Sequence, residues 1–347
     1  MQRLALLAAV GISGAAAFHS SSRSVPLDPL RPLTRAALTG SSKDGLPYTS
    51  LDSYVRDLKA TIPDAGSNAF VEPDPGEIDQ FANAMQALLT GDVESARQLL
   101  DGVYYDLFVL NDELGETYLV AQERSTPFRG QGTYIVDLQY ARNVIVEVPH
   151  PLWDVNTPEE GVAIFQALGG RGLFIAGTHR CANPETPSGC SGTTTSCGDA
   201  SIPVRISDAP HFTGNFMYAA HGASLQLAPP SSSLNLHGNR NEPYAIQISD
   251  GTRRFADETP LVNQLRSALR ARVGTDAGSC NWQADGLTSN NLCGTTNAMG
   301  RLSNESPQPC TQSAPNPSGL FLHIEQHRWV RDNPGVLIDA LQEVLPL

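Results

Sequence analysis

Runs of strand-forming residues alternate with helical patterns from residue 143 to the end of the chain. The helical patterns have apolar residues three and four positions apart, and Pro, acidic residues or Gly mark their ends, as in TPEEGVAIFQALGG. Strands that alternate with helices form a largely parallel sheet with helices on both faces. The sequence therefore predicts an α/β three-layer sandwich around a mixed, mostly parallel sheet, with strands at NVIVEV, RGLFIAG, SLNLHG, PYAIQIS and SGLFLHIE.

The region before residue 143 completes the predicted domain. Two short helices are expected between Pro75 and Gly102, followed by strands at VYYDLFVL, ETYLVAQE and GTYIVDLQ. Residues 20–75 are rich in Ser, Pro and Gly, which predicts a loosely ordered segment. We therefore divide the chain into residues 1–19, the segment 20–75 and an α/β domain over 76–347.

Residues 1–19 have the layout of a secretory signal peptide, with a short basic start, an apolar run and small residues up to Ala17. The run is shorter than the ~20 apolar residues that span a bilayer. We expect a secreted or periplasmic protein with no stable membrane anchor after cleavage. The formal net charge of −13 argues against nucleic acid as a partner.

Six cysteines lie in two loops rich in Gly, Ser, Thr and Asn, namely Cys181, Cys190, Cys197, Cys280, Cys293 and Cys310. Their even number fits disulfides in an oxidising compartment. The sequence does not choose a pairing, although Cys280–Cys293 and Cys190–Cys197 would close the shortest loops. A cysteine zinc site is the alternative, and the absence of a close CxxC pair disfavours it.

Polar side chains that can bind a metal stand at the ends of four predicted strands. They are His150 with Asp154, His179 with Arg180, His237, and Glu325. The carboxyl ends of parallel strands meet at one edge of a sheet, where α/β proteins bind their ligands. We therefore expect these side chains to lie close together. For each residue alone, a polar turn after the strand is the alternative.

Two histidines and a carboxylate are a typical ligand set of catalytic zinc, which leaves one position for water. The sequence predicts one zinc ion held by His150, Asp154 and His237, with Glu325 as the base that accepts a proton from the water. Arg180 is expected to bind a substrate carboxylate or to stabilise an oxyanion.

Two points about this ligand set stay open at the level of sequence. Glu147 competes with Asp154 as the carboxylate ligand, and strand alternation favours Asp154 because it puts Glu147 and His150 on opposite faces. Two histidines and one aspartate also suit iron, manganese or cobalt.

The run from VPHPLWD through LNLHGN to LFLHIEQHRWV resembles the zinc carboxypeptidase and N-formylglutamate amidohydrolase superfamily over roughly residues 103–347. AIQISDGT and FMYAAHGASL are similar to the amidohydrolase branch. The resemblance implies a phosphorylase/hydrolase-like fold, with His150 and Asp154 as the first ligand pair, His237 as the second histidine and Glu325 as the base. The chain departs from the carboxypeptidases by having His-x-x-x-Asp in place of His-x-x-Glu.

Five further polar residues are expected to contact the substrate: His179, His211, His221, Asn239 and Arg301. For His211 and His221 a capping or surface role is the alternative, and for Arg301 a place in a turn-rich covering loop.

The sequence as a whole predicts a secreted zinc-dependent hydrolase that cleaves an amide bond in a peptide or an N-acyl amino acid. One alternative is a disulfide-braced binding module with a degenerate site. The other is an ester or phosphate hydrolase that uses a serine or another metal, and the absence of a GxSxG motif disfavours its serine form.

Overall fold

The structure is a computed structural model that describes residues 50–240, 242–289, 292–345 and 347. Its strands are β1 Tyr105–Asn111, β2 Thr117–Glu123, β3 Thr133–Val136, β4 Arg142–Val148, β5 Gly170–Ile175, β6 Thr193–Thr194, β7 Ile202–Pro203, β8 Ser232–Gly238, β9 Ile246–Ser249, β10 Ala277–Ser279 and β11 Phe321–Gln326. Nine of them form one sheet in the order β1-β2-β3-β5-β4-β8-β11-β9-β10, and β6 pairs with β7 in a small ribbon.

The α-helices are α1 Leu51–Thr61, α2 Pro75–Thr90, α3 Val93–Asp101, α4 Thr157–Leu168, α5 Phe216–Leu225, α6 Leu261–Val273, α7 Gln283–Gly286, α8 Ala298–Ser303, α9 Arg328–Arg331 and α10 Gly335–Val344. Two short 3-10 segments cover 209–211 and 274–276. Within the described ranges, no helix combines the length and apolar character needed to cross a membrane.

The middle of the sheet is parallel. Strands β5, β4, β8 and β11 run in the same direction, whereas β1, β2 and β3 form an antiparallel extension on one side. On the other side β9 is antiparallel to β11 and parallel to β10. Helices cover both faces, so the predicted α/β sandwich around a mixed sheet is confirmed.

The first face of the sheet is apolar because alternate residues of each strand point to the same side. Its buried side chains pack against α1, α4, α6 and α10, and in the central strands they are Val144, Val146, Val148, Leu173, Ile175, Leu234, Leu236, Ile246, Ile248, Leu322 and Ile324. Helix α4 comes close to this face at Gly161, where a Cβ atom would lie 2.8 Å from Cγ2 of Val148.

The second face of the sheet carries two different surfaces. Toward β1, aromatic rings join the sheet to α2 and α5, and Phe81 of α2 stacks on Phe216 of α5 with ring centroids 4.2 Å apart. In the centre the face is polar, and its buried residues in β4, β8, β11 and β9 are Glu147, Asn235, His237, His323, Glu325, Gln247 and Ser249. We call this second set the polar face.

The predicted loosely ordered segment 20–75 differs from the structure where helix α1 forms, at Leu51–Thr61. Helix α1 begins after Ser50, whose hydroxyl accepts a hydrogen bond from the backbone N–H of Ser53. Its residues Leu51, Tyr54 and Val55 are buried against the apolar face, because the helix has an apolar side that the Ser/Pro/Gly composition does not reveal. The predicted signal peptide and residues 20–49 of this segment lie outside the described residues.

All six cysteines form disulfides in the structure. Cys280 pairs with Cys293, which is one of the two short loops. The pairing Cys190–Cys197 is wrong, since Cys197 bonds to Cys181 and Cys190 to Cys310. Cys190 packs in an apolar cluster with Phe70, Ile206 and Phe212, and this buried cluster directs it toward Cys310 instead of its sequence neighbour.

Candidate metal centre

The ends of β4, β8 and β11 bring the predicted ligands to one edge of the sheet. His237 near the end of β8 is the register partner of Glu325 in β11, so their side chains point to the same face. The chain turns directly after β4, and the backbone N–H of Asp154 donates to the carbonyl of His150 at 2.9 Å. This turn places both side chains beside His237.

Three donor atoms form a small triangle at this edge. Nδ1 of His150 lies 3.0 Å from Oδ2 of Asp154 and 3.2 Å from Nδ1 of His237, and the third side, between His237 and Asp154, measures 3.4 Å. All three residues are buried. Donor atoms that surround a tetrahedral zinc at about 2.0–2.2 Å lie roughly 3.3–3.5 Å from one another. The triangle therefore has the size of one face of a zinc coordination shell.

The outer nitrogen of each imidazole is bound to an oxygen atom. Nε2 of His150 lies 2.8 Å from Oδ1 of Asp208, and Nε2 of His237 lies 2.5 Å from Oδ1 of Asn235. A neutral imidazole that donates from Nε2 has its lone pair on Nδ1. With Nε2 as the donor in both rings, two lone pairs and a carboxylate oxygen would face the same point, which is an arrangement that binds a divalent metal.

Asp208 is held as a carboxylate by a second partner. Nη2 of Arg180 donates to Oδ2 of Asp208 at 2.6 Å, while Oδ1 faces His150. Burial alone would raise the pKa of Asp208, but the charges of Arg180, His211 and His150 together with the hydrogen bond to His150 outweigh it and hold that pKa well below its usual range. A carboxylate behind a histidine ligand fixes the ring and increases its basicity. The predicted substrate residue Arg180 thus contacts the centre through Asp208.

Glu325 and His323 form the opposite wall of the centre. Donor atoms of His237, His323 and Glu325 lie within 4.8 Å of one another, and the His323 ring is tilted by 32° to that of His237, with ring centroids 4.5 Å apart. Burial, with the charge of Asp154 added, raises the pKa of Glu325 well above its usual value. Oε2 of Glu325 has no hydrogen-bond partner among the described residues.

Two of the predicted substrate residues lie elsewhere and have structural roles. His221 is fully buried, and its ring nitrogens lie 2.6 Å from Oε1 of Glu147 and 2.8 Å from Oγ of Ser303. Arg301 is buried and donates to Ser191 and to the carbonyls of Thr295, Pro309 and Cys310. Both side chains use their polar atoms within the protein, so the expectation of substrate contact is corrected for both.

The other three predicted substrate residues lie around the centre. Nδ1 of His179 accepts from the backbone N–H of Cys181 at 2.9 Å, and its ring contacts the partly exposed Trp153 edge-on. Nδ1 of His211 lies 3.0 Å from the carbonyl of Thr296, and burial lowers the pKa of His211 to about 4. The side-chain amide of Asn239, two residues after His237, has no hydrogen-bond partner within the described ranges.

Two residues of the centre were not found from the sequence. Asp208 lies in a loop between β7 and α5, and no periodicity or motif marks it. Asn235 had a usable signal, because it precedes His237 by two positions in a strand and therefore shares its face.

The centre does not coincide with the cavity beside α1, β2 and β3, whose volume is about 260 Å³. That cavity is lined by residues such as Leu58, Glu123 and Phe128, and none of the residues of the centre borders it. The candidate site is therefore identified by its metal-donor atoms and not by this cavity.

Comparison of the chain with protein-family models, with curated proteins and with solved structures found no match.

Proposed function

We propose that the protein is a secreted zinc-dependent hydrolase that cleaves an amide bond in a peptide or an N-acyl amino acid. The observation that carries this proposal is the triangle of Nδ1 of His150, Oδ2 of Asp154 and Nδ1 of His237. Oxygen acceptors behind both imidazoles leave the two Nδ1 lone pairs for a metal. The three disulfides support an oxidising compartment.

His150, Asp154 and His237 would hold the ion. Zinc in such a site polarises the substrate carbonyl and lowers the pKa of a bound water to about 7. Iron, manganese and cobalt suit the same donors, so the choice of zinc is part of the proposal.

Glu325 would act as the general base. Its carboxylate takes one proton from the attacking water while the water oxygen bonds to the amide carbon, and it returns that proton to the nitrogen as the C–N bond breaks. Burial, which raises the pKa of Glu325, makes its carboxylate a stronger base toward the water. No described residue bonds to Oε2 of Glu325, which leaves that atom for the water.

Substrate binding would use the polar groups that the protein leaves unpaired near the centre. Nε of Arg180 is buried without a partner among the described residues, and so is the side-chain amide of Asn239. Arg180, which follows the end of β5, would stabilise the developing oxyanion or a substrate carboxylate. His179 and His211 would complete the walls of the cleft.

The test is hydrolysis of N-acyl amino acids and short peptides by the protein before and after removal of metal with a chelator. We expect activity that is lost on chelation and restored by zinc. Glu325→Gln should lower kcat by roughly 10²–10⁴-fold because the base is removed, while bound zinc is retained. Glu123→Gln is the matched control, because Glu123 is also buried and lies outside the centre.

Three results would contradict the proposal in different ways. Activity that survives chelation excludes a metal mechanism. Hydrolysis of esters or phosphates without hydrolysis of amides would favour the ester or phosphate hydrolase. Binding of zinc with no turnover of any of these substrates would favour a binding module.

A further inference from the structure

Asn235 lies at the middle of the polar face and is fully buried. In register it stands between Glu147 of β4 and His323 of β11. Its side chain contacts three other buried side chains of the site, those of Glu147, His237 and Asn297. A buried amide with this many partners has one allowed orientation.

The partners of Asn235 determine which end of the amide is oxygen. Nδ2 of Asn235 donates to Oε2 of Glu147 at 2.9 Å. Oδ1 of Asn235 accepts from Nδ2 of Asn297, also at 2.9 Å. Asn297 is fixed in turn, because its own Oδ1 accepts the backbone N–H groups of Met299 and Gly300 at the start of α8.

The orientation of the amide dictates the tautomer of His237. Oδ1 of Asn235 can only accept, and it lies 2.5 Å from Nε2 of His237. Nε2 must therefore carry the proton, and the lone pair of the neutral ring lies on Nδ1, the atom that faces His150 and Asp154. The opposite tautomer would put a proton between Nδ1 and Asp154, and a metal would have to displace it.

The second carboxylate oxygen of Glu147 also has a hydrogen-bond partner. Its Oε1 lies 2.6 Å from Nδ1 of His221, whose Nε2 lies 2.8 Å from Oγ of Ser303. A chain of hydrogen bonds thus connects α8 and α5 through β4 to β8. This chain explains why a carboxylate and a histidine that do not bind the metal are fully buried under the site.

We propose that Asn235 is the positioning residue that commits His237 to bind the metal through Nδ1, and that Glu147 and Asn297 act on the centre through Asn235. The proposal rests on the proposed metal centre. Asn235 contacts the ligand His237 and not the metal itself. Its loss should therefore change the zinc affinity and the tautomer of the His237 ring, while the three ligands stay the same.

The first test reads the tautomer of His237 in metal-free protein from the ¹⁵N chemical shifts of its ring. The parent protein should hold the Nε2–H tautomer. Asn235→Leu has a similar size and lacks the acceptor, so the ring should shift to the Nδ1–H tautomer or to a mixture. Identical ring spectra in the parent and in Asn235→Leu would overturn the proposal whether or not zinc binds.

The second test measures the zinc dissociation constant by competition with a chromophoric chelator. Asn235→Leu should raise the constant by about 10–100-fold. Glu147→Gln and Asn297→Ala should raise the zinc dissociation constant by less. Each variant keeps the other of the two residues that orient the Asn235 side-chain amide. Asn263→Leu is the matched control, since Asn263 is also fully buried but bonds to backbone carbonyls near α6.

The two tests separate this proposal from the proposed function. An Asn235-dependent Nε2–H tautomer in a chain that binds no zinc would support the positioning role of Asn235 and overturn the metal centre. An unchanged zinc constant in Asn235→Leu, or an equal rise in the Asn263→Leu control, would overturn the positioning role and leave the centre in place.

Discussion

The two faces of strands β4, β8 and β11 differ in polarity, because one carries apolar side chains and the other carries polar and ionisable ones. On the apolar face, Val146, Leu234 and Ile324 pack against helices in the main core. On the polar face, the residues next to them in sequence, Glu147 and Asn235, are buried just as deeply. The same backbone hydrogen bonds hold both faces, so the difference lies only in the side chains.

This difference indicates which face of the sheet stabilises the fold and which face carries the candidate site. Burying an apolar side chain contributes roughly 1.5–3 kcal/mol to folding, whereas a buried polar group costs free energy unless it is fully hydrogen-bonded. The polar face contains buried atoms without partners among the described residues, such as Oε2 of Glu325 and Nδ1 of His323. We infer that the apolar face holds the fold together and that the polar face is retained for chemistry.

The largest expected effect contrasts Leu236 and His237, which are adjacent in β8 and point to opposite faces. Leu236→Ala should lower the free energy of unfolding by about 2–5 kcal/mol, because it leaves a cavity in the core. The folded Leu236→Ala protein should still bind zinc. His237→Ala should abolish zinc binding and change the stability of the zinc-free protein far less. Denaturant unfolding and zinc content of both variants check this, and equal destabilisation by both would contradict the division between the faces.

Glu160 is an exception that sharpens the comparison, since this carboxylate of α4 is buried on the apolar side. Burial raises the pKa of Glu160 from 4.5 to about 8, although Nε2 of Gln326 donates to its Oε2. The folded protein then binds a proton more tightly than the unfolded chain, so stability falls as the pH rises from about 4.5 to 8.

Glu160→Gln should remove this loss of stability. At pH 5 the variant and the parent should have similar free energies of unfolding. At pH 9 the variant should be more stable by a few kcal/mol at most, since one pKa unit corresponds to about 1.4 kcal/mol. Urea unfolding at pH 5, 7 and 9 measures the difference, and parallel pH profiles for the two proteins would contradict the buried-carboxyl account.

The smallest expected effect concerns Asp208 behind His150. Asp208→Asn should raise the zinc dissociation constant by about 10–100-fold, because the partner of Nε2 loses its charge. Asp285→Asn is the matched control, since Asp285 is buried and paired with Arg266 and Arg270. The control should lower stability and leave the zinc constant of the folded protein unchanged. An equal change in both variants would show that Asp208 acts only through folding.

The fold was predictable because its signals are local. Alternation of apolar and polar residues in strands such as SLNLHG predicted on which face of the sheet each side chain would lie. The Pro and Gly residues at the ends of α4 and α6 indicated where these helices begin and end. The strand ends then indicated which polar residues would meet. His150, Asp154, His237 and Glu325 were found in this way.

The rest of the site could not be predicted, because it depends on contacts between distant segments. Asp208 reaches His150 from a loop 58 positions away. The roles of His221 and Arg301 follow from partners such as Glu147 and Ser191, 74 and 110 positions away, which no local pattern encodes. The disulfide Cys190–Cys310 likewise closes over a separation of 120 residues, where loop length favours nearer partners.

The most direct test of the central claim is the zinc content of the purified protein after dialysis, measured by mass spectrometry beside His150→Ala and His237→Ala. The triangle of donor atoms predicts about one zinc per chain in the parent and a large loss in both variants. A parent protein that holds no metal even after zinc is supplied, or variants that hold as much as the parent, would contradict the account.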